Sequence, residues 1–170
     1  MKNKAYPPKD VKFSYFWKDT PLGLLGFHFS VKGLAALTFA GEGAAATASS
    51  PPPDAAVWIE ILHKDLADYF QGLPPDFSTL PLDPRGTPFQ VRVWQELRKI
   101  PWGETISYKE LAVRAGNPKA CRAVGQANGA NPIPLIIPCH RVINADGSLG
   151  GYSSGIERKR WLLRHEGIVI

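Results

Sequence analysis

Residues 107–130 read SYKELAVRAGNPKACRAVGQANGA, and the helix signals inside this stretch decide how the chain is organised. Ser107, with Glu110 three positions on, has the form of a capping box, so a short helix is expected from there to about Ala115. Gly116 ends it, and Asn117-Pro118 marks the start of a second helix running to about Ala130. Two short helices across a turn holding Gly and Asn fit a helix-turn-helix, and equally an ordinary helical hairpin. The second helix is rich in Ala and Gly, which let a backbone come close to something narrow, either a groove or a neighbouring helix. Arg122 is its one long, stiff cation, and suits a wedge or anchor against stacked bases.

Toward the C-terminus, Asn131-Pro132 is followed by an apolar run, residues 133–137, expected to be extended. It leads into Pro138-Cys139-His140-Arg141. A last helix is expected to open with a capping box from Ser154 to Glu157 and to close at Gly167. Toward the N-terminus, Thr87-Pro88 starts a helix with the apolar stripe Phe89, Val93, Trp94, Leu97 and Ile100, stopped by Pro101 and Gly103. Pro74, Pro75, Pro81 and Pro84 make a stiff connection, which places a boundary between domains 1–85 and 86–170. Before it, residues 11–17, 24–32 and 34–39 alternate like strands, with turns at Pro21-Leu22-Gly23 and Gly33. Residues 41–53, GEGAAATASSPPP, hold too few large apolar groups to pack and read as a low-complexity loop. Asp54 is expected to cap a helix through about Phe70, with Val57, Trp58, Ile61, Leu62 and Leu66 on one face. This first domain carries no catalytic signature.

The net charge of +5 is unevenly spread. Residues 1–85 hold eight Lys and Arg against nine Asp and Glu, whereas residues 86–170 hold twelve against six. A polyanionic partner would therefore meet the second half, although many basic domains bind none. There is no run of eighteen apolar residues, so no membrane span is expected, and the N-terminal MKNKAYPPKD lacks the apolar core of a signal peptide. Two cysteines alone, Cys121 and Cys139, point to a reducing compartment and a cytoplasmic protein without a disulfide framework. His28, His63, His140 and His165 show no zinc spacing with them, so no metal site is expected. Pro138 stiffens the approach to Cys139, and a neighbouring base would draw its thiol toward the nucleophilic thiolate. A packed core thiol is the commoner use of a lone cysteine after apolar residues, and both readings stand on these residues alone.

Ile137-Pro138-Cys139-His140-Arg141-Val142 resembles the active-site signature of the O6-alkylguanine-DNA alkyltransferases. Ile106-Ser107-Tyr108, Ala115-Gly116-Asn117-Pro118, Arg122-Ala123-Val124-Gly125, Asn131-Pro132, Gly151-Tyr152-Ser153, Trp161-Leu162-Leu163 and His165-Glu166-Gly167 follow in that family's order, together covering residues 88–168. The resemblance implies an α+β fold: an N-terminal α/β roll with a small antiparallel sheet, then a mostly helical C-terminal domain with a helix-turn-helix. It implies transfer of a methyl or other alkyl group from O6 of guanine in DNA to Cys139, once per molecule. The share of O4-alkylthymine among substrates stays open.

By the same resemblance His140 would take the thiol proton through a water, Glu166 would hold and polarise His140, and Asn131 would hinge the recognition helix to the active-site loop. Arg122 would enter the base stack, and Tyr108 would crowd the phosphate and hydrogen-bond the leaving guanine. Lys109, Asn117, Ala123 and Arg141 would join Arg122 and Tyr108 on the DNA. Val142, Tyr152 and Ser153 would line the substrate pocket with Tyr108, Ser153 donating to O6. The partner would be double-stranded DNA carrying O6-alkylguanine, met in the minor groove by a monomer, with no cofactor. Some members of the family bind structural zinc in the first segment, but here that segment has no cysteine, so no zinc is expected. Cys121 stands where alanine is commoner. A lesion-recognition module without transfer is the main alternative, yet such relatives lack the cysteine. A plain helix-turn-helix regulator leaves residues 138–142 unexplained, and a cysteine hydrolase would turn over repeatedly.

Overall fold

The computed structural model describes residues 10–17, 20–40 and 55–170. The basic N-terminal residues 1–9, the loop expected over 41–53 and the expected Asp54 cap lie outside the described residues. The chain divides into two compact units, Met1–Pro84 and Arg85–Ile170.

In the first unit three strands, β1 (Phe13–Trp17), β2 (Leu24–Ser30) and β3 (Gly33–Ala40), form an antiparallel sheet in sequence order. Aromatic and branched side chains alternate along them, so one face buries Phe13, Leu25, Phe27, Phe29 and Leu37. Helix α1 (Ala56–Phe70) meets the sheet through rings: Trp58 stacks on Phe29, and His63 lies flat on Trp17 beside Tyr15. Each such aromatic pair adds roughly 0.5–1.5 kcal/mol beyond its buried area. The buried face of α1 is Leu62, Asp65, Leu66 and Tyr69. Val57, expected on it, is exposed: it is the second residue of the helix, and from that first turn it is Trp58 that meets the sheet. The proline-rich connection is not a free spacer either. The Leu34 amide donates to Pro81 O and the Asp83 amide to Leu34 O, so the segment is clipped to the start of β3.

The second unit carries α2 (Pro88–Leu97), the two-residue strand β4 (Ile106–Ser107), α3 (Tyr108–Arg114), α4 (Cys121–Gly129), a single 3-10 turn at Cys139–Arg141, strand β5 (Val142–Ile143) and α5 (Ile156–His165). Thr87 and Gln90 cap α2 reciprocally. Trp94, on the buried stripe of α2, donates its indole N–H to Ala127 O and so ties α2 to α4. Parallel pairing of β4 with β5 sets Ile106 against Val142, which brings the start of α3 beside the strand that follows Cys139.

Four local expectations are corrected. Ser107 accepts from the Glu110 amide, but Glu110 turns its own carboxylate to Arg114 at 2.6 Å, so only half of that box forms. Helix α4 starts at Cys121, not at Asn117-Pro118. Gly116, at φ +82°, reverses the chain after α3, and the Asn117 amide closes back on Ala112 O while its side chain takes the Lys119 amide. At α5 no box forms: Gly155 is the cap residue, and the Ser154 carbonyl accepts from Arg158 instead. Finally, residues 133–137 are a turn, not an extended run. The Ile137 amide donates to Ile133 O at 2.9 Å, and Leu135 sits at φ +73°.

Candidate active site

All twelve residues from 131 to 142 are buried, although most of them form no regular structure. Buried backbone groups need partners, and here side chains supply them. Asn131 donates to Ile137 O at 2.7 Å and accepts from the Ile133 amide at 3.0 Å. Asn128, from the last turn of α4, donates to Cys139 O at 3.3 Å. Arg141 donates to Ile100 O and Lys159 to Val142 O. The 3-10 turn thus packs against α2 and α5 and is tied to α4 by Asn128, with Cys139 at its head and only 1% of that residue exposed.

Behind the thiol lies an ionic cluster with no solvent exposure to speak of. His140 donates from Nε2 to Glu166 Oε1 at 2.7 Å. Arg141 grips the same carboxylate at both oxygens, Nε to Oε2 at 2.7 Å and a terminal nitrogen to Oε1 at 3.1 Å. A planar guanidinium fits a carboxylate in this two-point way. Glu166 is presented by the end of α5. Gly167 at φ +81° lets the Ile168 amide reach back to Leu163 O, which turns the chain and keeps the Glu166 side chain inside. Burial alone would raise the Glu166 carboxyl, but the hydrogen bonds and charges of His140 and Arg141 outweigh it and hold it at about 2. Burial lowers His140 below the ordinary imidazole value, with Glu166 pulling the other way. His140 is therefore neutral near pH 7, with its proton on the nitrogen facing Glu166. Its Nδ1 is buried and has no protein hydrogen-bond partner among the described residues.

Burial pushes the Cys139 thiol up; hydrogen bonds from Asn131 and Tyr152 and the positive charge of Lys159 act in the opposite direction. The resting residue is thus a protonated thiol with groups around it that favour the anion. Tyr108 lies between this thiol and the surface. Its hydroxyl is raised by burial and by the Cys139 charge and is opposed by a hydrogen bond with Asn128. On the outer side it lines a cleft of about 470 Å³ together with Lys109, Cys121, Arg122, Gly125, Asn144 and Ala145.

The structure therefore gathers Cys139, His140, Glu166, Asn131 and Tyr152, and groups Tyr108, Lys109 and Arg122 at the cleft. Asn117 and Ala123 are exposed outside its lining, Val142 is fully buried on β5, and Ser153 is exposed. Arg141, expected on DNA, is buried and clamped to Glu166 within the ionic cluster. Sequence reasoning missed Asn128 and Lys159. Lys159, Leu162, Leu163 and Glu166 follow one helical stripe at spacings of three and four, so a charged residue at each end of an apolar pair was the available signal. Among the described residues no three His, Cys, Asp or Glu side chains gather as a metal-sized group, and no helix is long and apolar enough to cross a membrane.

Comparison with known proteins places the second unit first. The family described as 6-O-methylguanine DNA methyltransferase, DNA binding domain, matches residues 88–168. The methylated-DNA–protein-cysteine methyltransferase of Salmonella typhimurium is 54% identical over 109 residues, 64% of this chain and 64% of its own length. That of Methanosarcina barkeri is 54% identical over 103 residues, 61% of this chain and 65% of its own length. The matched stretch thus spans under two thirds of these relatives. Coverage is wider in three dimensions. Mycobacterium tuberculosis OGT in complex with DNA superposes with a TM-score of 0.75 at 44% identity, covering 90% of this chain and 91% of the other.

Proposed function

Because the chain belongs to the 6-O-methylguanine DNA methyltransferase family, we propose that it repairs DNA by moving an alkyl group from O6 of a guanine onto Cys139 Sγ, irreversibly and once per molecule. The observation that carries this reading is the order of contacts behind the thiol: a neutral buried imidazole adjacent in sequence, fixed by a carboxylate that an arginine holds ionised.

The chemistry is an in-line displacement. The Cys139 proton passes to His140 Nδ1 through one bridging water, and Glu166 stabilises the imidazolium that results. Sγ then bonds to the alkyl carbon as the carbon–O6 bond breaks, and the electron pair leaves with the guanine. Tyr108 and Ser153 hydrogen-bond the departing base, Tyr152 and Val142 wall the pocket, and Asn131 links this loop to α4. A thioether has no hydrolytic route back, so the protein is consumed.

A stacked guanine cannot reach a thiol this deep, so the nucleotide leaves the duplex. Arg122 on α4 fills the stack behind it, and Lys109, Asn117 and Ala123 contact the flanking backbone in the minor groove. The excess of cations after residue 85 makes the affinity fall with salt and vary little with sequence. The protein acts as a monomer in the cytoplasm, without cofactor or zinc.

Intact-mass measurement after incubation with an O6-methylguanine duplex tests the proposal. One methyl mass on the peptide holding Cys139, and none in Cys139→Ala, is the expected result. A label on Cys121 alone, or continued conversion by a small fraction of protein, overturns it.

A further inference from the structure

Asn128, in the last turn of α4, is buried. Its amide carries two N–H donors and one acceptor oxygen. One N–H goes to Cys139 O at 3.3 Å. The amide also donates to the hydroxyl oxygen of Tyr108, the first residue of α3. The acceptor, Oδ1, is buried and has no protein partner among the described residues. Turned over, the amide would set that oxygen against Cys139 O, acceptor against acceptor, so the nitrogen is the atom that faces inward. As a packing group Asn128 gains little. An isosteric leucine would trade one orphaned acceptor, Oδ1, for another, Cys139 O, each costing roughly 1–3 kcal/mol.

Tyr108 itself is held in place. A Cβ added to Gly125 of α4 would lie 3.8 Å from its ring, and one added to Gly150 would lie 3.2 Å from it. The ring therefore passes between α4 and the loop that follows β5, which fixes where the hydroxyl oxygen sits. The direction of its hydrogen is the freedom that remains. A hydroxyl oxygen that accepts an N–H from one side turns its own hydrogen to another.

We propose that Asn128 is a positioning residue for alkyl transfer: by donating to the Tyr108 oxygen from the buried side, it keeps the hydroxyl hydrogen directed away from the protein interior, as a donor to the departing base. The inference deepens the repair reading above and rests on it. As the carbon–O6 bond breaks, its electron pair goes to the guanine. A donor already aimed at the base stabilises that charge without reorganising as it develops. A hydroxyl turned inward would present lone pairs to an anion instead. The same amide holds Cys139 O. One side chain thus ties the turn that carries the attacking sulfur to the donor that meets the leaving group.

Two measurements test this. In the nitrogen–proton spectrum of the intact protein, the two side-chain amide protons of Asn128 are compared between wild type and Tyr108→Phe, which removes only the hydroxyl. One proton is expected to shift while the other, bound to Cys139 O, stays; two unmoved protons overturn the proposal. The second measurement is a double-mutant cycle in single-turnover transfer from a methylated duplex at pH 7. Asn128→Leu should slow transfer about tenfold when Tyr108 is present, and less than about twofold in Tyr108→Phe, because the two side chains act through one contact. An equal loss in both backgrounds means that Asn128 acts through the Cys139 turn or the fold alone, and overturns the proposal. Should Asn128→Leu not fold, the amide spectrum still decides, since it reads the native asparagine. If wild type itself transfers nothing, the repair reading fails, while the spectrum still decides whether Asn128 holds the Tyr108 oxygen.

Discussion

His28 in the first unit and His140 in the second are both buried, and in both burial lowers the imidazole below its ordinary value. Their surroundings differ in kind. His28 lies between two hydroxyls, Ser14 Oγ at 2.8 Å from Nδ1 and Thr38 Oγ1 at 3.1 Å from Nε2. A hydroxyl donates or accepts, so either tautomer is satisfied and both nitrogens are occupied. His140 meets an acceptor-only carboxylate at Nε2, which fixes the proton there and leaves the lone pair on Nδ1, a buried nitrogen with no protein partner among the described residues. Burial makes both rings neutral, but only the clamped carboxylate fixes which nitrogen of its ring carries the proton.

Substitutions can break this contrast. His140→Gln should slow single-turnover transfer by about 10²–10⁴-fold, the usual contribution of a general base; a rate within threefold of wild type would place the base elsewhere. Arg141→Met leaves the Glu166 carboxylate without its guanidinium and should cost roughly 3–5 kcal/mol of stability in urea titration. A loss below about 1 kcal/mol, the range of exposed ion pairs, would show that the pair is solvated in solution. Glu166→Gln keeps the shape and removes the charge. It should slow transfer at pH 7 by at least about tenfold, or 1.4 kcal/mol in the barrier. That deficit should narrow above the pKa of the thiol, where no relay is needed, and a deficit constant with pH would contradict the relay.

The smallest effect sharpens the comparison through stability. A histidine whose folded pKa is lowered takes up its proton more readily when unfolded, so stability is lost as pH falls below 6.5, for His28 and His140 alike. Glu166, held near 2 against an ordinary 4.5, adds a second loss beside that of His140 as pH falls from about 4.5 toward 2. His28→Gln should flatten the curve below pH 6.5 by about 1 kcal/mol, near the value of a typical hydrogen bond, and leave transfer untouched. A slowed transfer would mean that His28 is more than a packing group.

Much of this was legible in residues alone. Period-two runs marked the three strands, and the stripe through Val93, Trp94 and Leu97 marked α2, because burial of one face writes itself into spacing. The family motif drew attention to Cys139, His140 and Glu166. What spacing did not carry was competition between partners. Glu110 prefers Arg114 to the Ser107 amide, and Arg141 prefers Glu166 to solvent, choices settled by tertiary neighbours. The turn at 133–137 was hidden for a related reason. An apolar run looks extended when its backbone partners are unknown, and here the partner is the Asn131 side chain, which satisfies both ends of the turn.

Leu135, in the middle of that turn, is the one described residue other than glycine with positive φ, and its side chain is buried. The left-handed backbone costs a leucine roughly 1–2 kcal/mol, while burying its side chain returns about as much or more. Two opposite pressures therefore act on substitution at this position. Glycine relieves the backbone and forfeits the packing; valine or isoleucine keeps the packing and worsens the backbone. The alphabet open to the turn before Cys139 is thus narrowed from both sides, to side chains that are large, apolar and unbranched at Cβ.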